Sequence, residues 1–403
     1  MRRAARGAPG NIVLLRTYSH ESRVKAEQYA DAARALGLDV RSAPDRRTVA
    51  VLPTSDFRAL EAAWMAHTYG VPGPDPVMVA IATSKSLTYE FLRRRGFALL
   101  RWRVPVWERD LEAAFAGAVF VKPDFGSGSA AVKPWSYRAF DSLADFHRFL
   151  RRSGRMTAFL AAQRDPRQRH LVMERVAVRE EWGIATVAGD GPALLYDTHA
   201  MYPMADSSVV GRSLVGARHP GTGTIVRMAR ALAAAGLRRS VIYFQCLRRG
   251  ERLYPMDLNL RPATMWSHAT AVLKNGAYEE ILGVLLGLKR RPAISWPAPY
   301  MGLARLPMKR PGSVLAEFRH PQAVPIVERT YLNRSRPSVL GDAYPIFAVP
   351  CERPQDFARK ARAIIASTRI TRLAGSRSGA RRSARSSPRA GRAGAPRRRP
   401  RAA

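Results

Sequence analysis

Apolar positions in the first 75 residues follow two alternating periods. Residues 11–15 form a short apolar run, residues 21–38 repeat apolar side chains at helical spacing, and residues 48–52 return to a strand-like run. A second helix is predicted from Thr54, a residue suited to capping, to His67, before Gly70, Val71, Pro72, Gly73 and Pro74 break the chain. This is a small α/β unit, and it has no GxGxxG after its first strand, so no cofactor of its own is assigned to it. Residues 77–81 read as a further strand, and Ser84 as the cap of a helix over 87–95 that ends at Gly96. Beyond Pro105 the pattern becomes short strands joined by turns, with helices over 142–153 and 224–237. After Pro262 come a helix over 279–288, strands over 300–307 and 346–349, and a closing helix over 355–366. No internal repeat is visible. Such a mixture predicts α+β lobes rather than one open parallel sheet.

Composition narrows the class. A chain of 403 residues, 46% hydrophobic, is long enough for a substantial core and two or three domains. Cys246 and Cys351 lie far apart without CxxC or His-rich company, which argues against a disulfide framework or a zinc site and for buried thiols in a reducing compartment. The apolar stretch after the basic N-terminus is interrupted by Arg16 and is too short for a signal peptide, and residues 281–288 are too few to span a bilayer. The expectation is a cytoplasmic protein without a transmembrane segment. Of the net charge of +36, twelve Arg lie in residues 369–403, a stretch without acids, leaving +24 on the rest. Rich also in Ser, Gly, Ala and Pro, that stretch reads as a disordered Arg-rich tail suited to nonspecific contact with nucleic acid or an anionic surface. The remaining excess is scattered Arg on a solvated surface.

Four local features carry chemistry. An apolar strand from Val119 to Val121 ends in Lys122 and a loop containing Gly126, Ser127, Gly128 and Ser129. Glycines let a backbone approach a phosphate, and lysine supplies charge. It is not a Walker A loop, because no GK[ST] closes it, and such a loop alone also fits a plain turn. Residues 240–262 read as a hairpin. With Gln245 opposite Asp257, alternation puts Gln245, Asp257, Asn259 and Arg261 on one face. Two oxygen ligands beside a guanidinium suit Mg²⁺ and a polyphosphate, although a solvent-exposed polar face gives the same alternation. Glu174 ends an apolar run and Glu181 follows seven residues later; both are able to accept hydrogen bonds from a nucleotide or to pair with surface Arg. Lys85 lies just before the helix over 87–95.

In this order and spacing the four features resemble the ATP-grasp superfamily over residues 77–288, in particular its carboxylate-amine ligases and biotin-carboxylase-like members. The resemblance implies a small α/β pre-ATP-grasp domain over residues 1–75, a two-lobed ATP-grasp fold over 76–290, a C-terminal extension packing on the core over 291–368, and the tail over 369–403. It further implies ATP and Mg²⁺ as cofactors, with acyl-phosphate formation, release of ADP and phosphate, and capture by an amine or similar nucleophile. By position, Lys85 and Lys122 resemble the phosphate-binding lysines, and Gly126, Ser127, Gly128 and Ser129 the loop that closes over them. Glu174 and the Val176 backbone resemble the adenine-recognising hinge, and Glu181 the ribose-binding carboxylate. Asp257 and Asn259 match the metal ligands, and Arg261 the arginine beside the reacting carboxylate.

Three positions depart from that pattern: Asp257 replaces a Glu, Gln245 an acidic ligand, and Ala131 a Gly. Gln245 brings no charge, so affinity for a second Mg²⁺ is expected to fall. The competing readings are a degenerate ATP-binding regulatory protein without ligase activity and a nucleic-acid-associated protein acting through its tail. Substrate recognition is expected in a loop over 198–220, where His199, Arg212, Arg218 and His219 suit an anionic substrate, and in residues 264–268; an ordinary surface role fits each of them as well. The carboxylate and amine themselves, small molecules or peptides, are not legible.

Overall fold

The computed structural model describes residues 10–17, 20–112, 117–125, 133–176, 180–203, 210–263, 273, 276–305, 314–317, 319–326 and 346–372. The N-terminal unit comprises β1 (Asn11–Leu15), α1 (His20–Ala35), β2 (Asp39–Arg41), β3 (Thr48–Pro53) and α2 (Ala59–Thr68), with a parallel sheet in the order β2-β1-β3. Two helices follow, α3 (Pro76–Thr83) and α4 (Lys85–Arg93). The first corrects the strand expected over 77–81. A continuous apolar run fits a buried strand and a buried helix equally, and the start signal decides it. Asp75 accepts from the amides of Val77 and Met78 at 2.7 and 3.2 Å, and Pro76 occupies the first helical position, where its missing N–H costs nothing. Ser84 caps α4 through the Leu87 amide, and this helix begins at Lys85 itself.

A small lobe is built from β4 (Trp102–Arg103), β5 (Val119–Pro123), β6 (Arg138–Phe140), α5 (Leu143–Arg152), α6 (Met156–Arg164) and β7 (His170–Glu174), with the antiparallel order β4-β7-β5-β6. Leu143, Phe146, Leu150 and Phe159 of its helices pack against Val119, Val121 and Val172.

The large lobe is an eight-stranded antiparallel sheet. Its strands are β8 (Glu181–Ala188), β9 (Leu194–Pro203), β10 (Val210–Val215), β11 (Ser240–Arg249), β12 (Arg252–Asn259), β13 (Tyr300–Arg305), β15 (Val324–Ile326) and β16 (Ile346–Cys351), ordered β12-β11-β8-β9-β10-β13-β16-β15. Helices α7 (Thr222–Ala234), α8 (Ala277–Leu285) and α9 (Asp356–Ser367) flank it. Ile184, Ile242 and Phe244 pack with α3, α7 and α9 on one face, whereas Ala185, Val187, Val241 and Tyr243 pack with α1 and α8 on the other. The loop expected over 198–220 is therefore corrected: much of it is β9 and β10, which pair with each other. His199, Ala200 and Met201 on β9 and Ser213, Leu214 and Val215 on β10 are all buried, so this part of the sheet is covered on both faces and has no polar–apolar alternation to mark it as strand.

The hairpin expected between Gln245 and Asp257 forms in that register, with Tyr243 opposite Asn259. A bulge between Gln245 and Cys246 then shifts the remaining pairs, so Cys246 meets Pro255. A proline cannot donate to a ladder, and an irregularity beside it is where the strand accommodates one. Finally, β14 (Val314–Glu317) pairs with β17 (Arg369–Arg372), so the first four residues of the Arg-rich segment form a strand; residues 373–403 lie outside the described residues. Among the described residues no helix is long and apolar enough to cross a membrane.

Candidate active site

The site begins with two lysines delivered from different elements to one carboxylate. Lys122, near the end of β5, is 1% exposed; its Nζ donates to the Tyr89 hydroxyl at 3.2 Å and to the Met256 carbonyl. Tyr89 in turn donates to the same carbonyl at 2.5 Å. Lys85 opens α4, and its backbone amide donates to the Asp124 carbonyl at 2.9 Å. The buried Asp124 side chain accepts from the Ser86 amide and hydroxyl, both at 2.7 Å, and from Ser84 at 3.2 Å, tying the start of α4 to the end of β5. Both ammonium groups reach Asp257 of β12: Oδ1 is 3.3 Å from Lys85 Nζ and 3.6 Å from Lys122 Nζ. These are ion-pair distances without an aligned donor, and Asp257 Oδ1 makes no hydrogen bond among the described residues.

The electrostatics follow from burial. Loss of water pulls the Lys122 ammonium down to about 8, against the attraction of Asp257. Burial opposes ionisation of Asp257 too, but Lys122 and Lys85 outweigh it and hold its carboxyl below the ordinary range. Burial raises Glu181, and Asp257 adds to that, while a hydrogen bond from Gln245 Nε2 and the charge of Lys122 oppose it. Gln245 therefore stands where a second carboxylate would repel Glu181 and Asp257, and donates instead. Two residues beyond Asp257, Asn259 is 4% exposed and its Oδ1 has no hydrogen-bond partner among the described residues. A buried amide oxygen without a donor, beside a carboxylate held ionised, fits a hard cation with oxygen ligands such as Mg²⁺.

The other expected residues fall into two places. Arg261 is half-buried and held by Asp56, whose carboxylate accepts from Arg261 Nε at 2.7 Å and from the Leu260 amide at 3.0 Å. Glu174 ends β7, where Arg249 Nη1 lies 2.9 Å from Oε1 and Arg101 Nε 3.5 Å from Oε2. Glu174, Arg175 and Val176 line a cavity of about 400 Å³ with Arg248, Arg249 and Gly250. Gly126, Ser127, Gly128, Ser129 and Ala131, and residues 264–268, lie outside the described residues. The four residues expected to meet an anionic substrate are not brought together. His199 is buried against Asp197, His219 is buried with its Nδ1 accepting from the Gly221 amide at 3.0 Å, and Arg212 and Arg218 are exposed.

Sequence reading passed over Tyr89, Asp124, Asp56 and Tyr137. Asp124 was visible as the acid after Lys122 and Pro123, but its service to Ser86 links positions 38 apart. Tyr137 has a left-handed backbone (φ 53°), and burial, with Asp257 adding to it, raises its phenol above the ordinary range.

Among solved structures the architecture has clear counterparts. The L-amino acid ligase from Bacillus licheniformis superposes with a TM-score of 0.65 at 13% identity, covering 91% of this chain and 100% of that one. Carboxyaminoimidazole ribonucleotide synthase from Aspergillus clavatus, solved with ATP, gives 0.65 at 13% identity over 89% and 98%. Phosphoribosylglycinamide synthetase from Anaerococcus prevotii gives 0.63 at 12% over 91% and 100%. The chain thus has the fold of the ATP-grasp carboxylate-amine ligases, as its motif order implied. No family model and no curated protein matches the sequence.

Proposed function

We propose that this protein is an ATP-dependent ligase that activates a carboxylate as an acyl phosphate, releases ADP and phosphate, and joins the acyl group to an amine or similar nucleophile. The observation that carries this reading is the convergence of Lys85 and Lys122 on Asp257, with the unpartnered Asn259 Oδ1 two residues along the same strand. Phosphoryl transfer is catalysed mainly by positioning and charge, and this cluster supplies both without a covalent intermediate.

The lysines bind and orient the β- and γ-phosphates. Asp257 and Asn259 hold Mg²⁺, which when bound neutralises charge on the phosphate oxygens. The Val176 backbone and Glu174 receive adenine in the cavity they line, and Glu181 accepts the ribose hydroxyls. Arg261, fixed by Asp56, orients the carboxylate to be activated. Gly126, Ser127, Gly128 and Ser129 close over the phosphates. The test is ADP release from ATP and Mg²⁺ with paired carboxylates and amines, with product identified by intact mass; ADP release that no pair stimulates sinks the ligase reading.

A second reading, a nucleotide-binding regulator without ligase activity, draws on Gln245, which removes a negative charge from the metal site, and on the two guanidinium groups already on Glu174. It predicts ATP binding in calorimetry with no turnover for any pair.

A further inference from the structure

The cavity that Glu174 helps to line holds charge where a purine site ordinarily holds apolar side chains. Four of the residues around its roughly 400 Å³ are charged, Glu174, Arg175, Arg248 and Arg249, and Val176 supplies the one apolar side chain among the described lining residues. Two lobes meet there: Glu174 ends β7 of the small lobe, and Arg248 and Arg249 end β11 of the large sheet. A site so lined discriminates among bases by hydrogen bonds, because a polar group that faces a bound base without a match has lost its water for nothing.

Glu174 and Arg249 set the pattern of donors and acceptors. Arg249 Nη1 donates to Glu174 Oε1 at 2.9 Å, and the Glu174 side chain is 16% exposed. Arg101 Nε stands 3.5 Å from Oε2. Both carboxylate oxygens keep lone pairs for further donors. Arg249 in turn has N–H groups beyond the one on Glu174, and it makes no other hydrogen bond among the described residues. Arg248 differs: its Nε donates to the Gly250 carbonyl at 3.1 Å and its Nη1 to Glu180, which pins the turn after β11. The two lobes thus present an acceptor and a donor side by side on the wall of one cavity.

That pair complements guanine. The base offers two neighbouring donors, N1–H and its N2 amino group, to a carboxylate, and beside them O6 and N7 accept, the two atoms that arginine most commonly contacts. Adenine fits less completely. Its N6 amino group can donate to Glu174, but it brings N–H donors up to those of Arg249 and turns the N1 lone pair toward a group that only accepts. We propose, on the reading of this cavity as the base site, that it accepts guanine at least as well as adenine, with Glu174 accepting from N1 and N2 and Arg249 donating to O6 and N7. GTP then serves as a phosphoryl donor beside ATP. Its γ-phosphoryl passes to the substrate carboxylate, the bond from the γ-phosphorus to the bridging oxygen breaks, and GDP leaves with that electron pair. Arg249 touches the base and not the reacting atoms, so it sets nucleotide selectivity.

Binding needs no turnover and so separates this inference from the ligase reading. Calorimetry on the full chain with Mg²⁺ compares ATP, GTP and ITP, whose base keeps N1–H and O6 but lacks the N2 amino group. GTP should bind at least as tightly as ATP, and ITP more weakly than GTP, because one donor to Glu174 is missing. Arg249→Met removes the guanidinium and keeps an unbranched stem. The ratio of GTP to ATP affinity should then fall on the order of tenfold, toward the low end for an arginine on O6 and N7 because Arg249 is 61% exposed. A wild type that binds ATP more tightly than GTP overturns guanine recognition and leaves the nucleotide site standing; one that binds neither overturns both. An ITP affinity equal to that of GTP, or an unchanged ratio in the folded variant, overturns the assigned contacts. If Arg249→Met does not fold, the three nucleotides on wild type decide alone. Tight GTP binding without turnover for any substrate pair leaves the inference intact and counts against the ligase reading.

Discussion

Lys122 has exchanged water for a phenol, a carbonyl and a carboxylate, and such a group gains most from an anionic ligand that restores the charge balance around it. Lys122→Ala should weaken ATP binding by tenfold or more, about 1.4 kcal/mol, in calorimetry. Unchanged affinity in a folded variant removes the lysine from the nucleotide site. Asp257 is placed between two cations that hold it ionised. Asp257→Asn removes that charge at nearly constant volume, so ADP release should drop on the order of a hundredfold, roughly 3 kcal/mol, across a Mg²⁺ titration. A variant that matches wild type at every Mg²⁺ concentration contradicts the metal assignment. The link from Arg261 to Asp56 could not be foreseen at this scale, because its partners are 205 residues apart and no local pattern records such a pair.

Elements were legible where one period dominates locally. The hairpin register followed from alternation and turn position, and the structure keeps it from Tyr243 to Gln245. It was not legible past Gln245, because a bulge inserts a residue without a hydrophobic signature. Helix α3 was misread for a related reason: it is apolar on every side, so only its Asp75–Pro76 start distinguishes it. In the small lobe, His170 on β7 lies behind Trp135 and Phe159, with Nε2 2.6 Å from the Ser136 hydroxyl and Nδ1 unpartnered among the described residues. Burial lowers it from 6.5 to about 4. The folded lobe thus binds this proton less well than the unfolded chain. Its contribution to stability is complete above 6.5 and is lost as pH falls from there toward 4, by up to roughly 3 kcal/mol. Urea midpoints between pH 7 and 4 should fall more steeply for wild type than for His170→Asn; parallel curves would show that this histidine is not kept neutral by the fold.

At the scale of the whole chain, the fold is shared with the L-amino acid ligase and the carboxyaminoimidazole ribonucleotide synthase at 13% identity. The C-terminus shows where composition misleads about a boundary. An Arg-rich stretch from residue 369 reads as a tail, yet Arg369–Arg372 pair with Val314–Glu317, Ile370 standing opposite Ala316 and Arg369 opposite Glu317. Two truncations separate these parts. A chain ending at Arg372 keeps the ladder and should retain the Tm and ADP release of the full chain. It should lose salt-sensitive binding to nucleic acid, because the ten remaining Arg lie beyond that point without acids, and phosphate contacts weaken linearly in log affinity against log salt. A chain ending at Ser367 also loses β17 and strips β14 of its partner. If the ladder contributes about 1 kcal/mol, its Tm should fall by a few degrees. Equal Tm values for the two truncations would show that the ladder does not stabilise the fold, and collapse of ADP release at Arg372 would place the terminal segment in the active site.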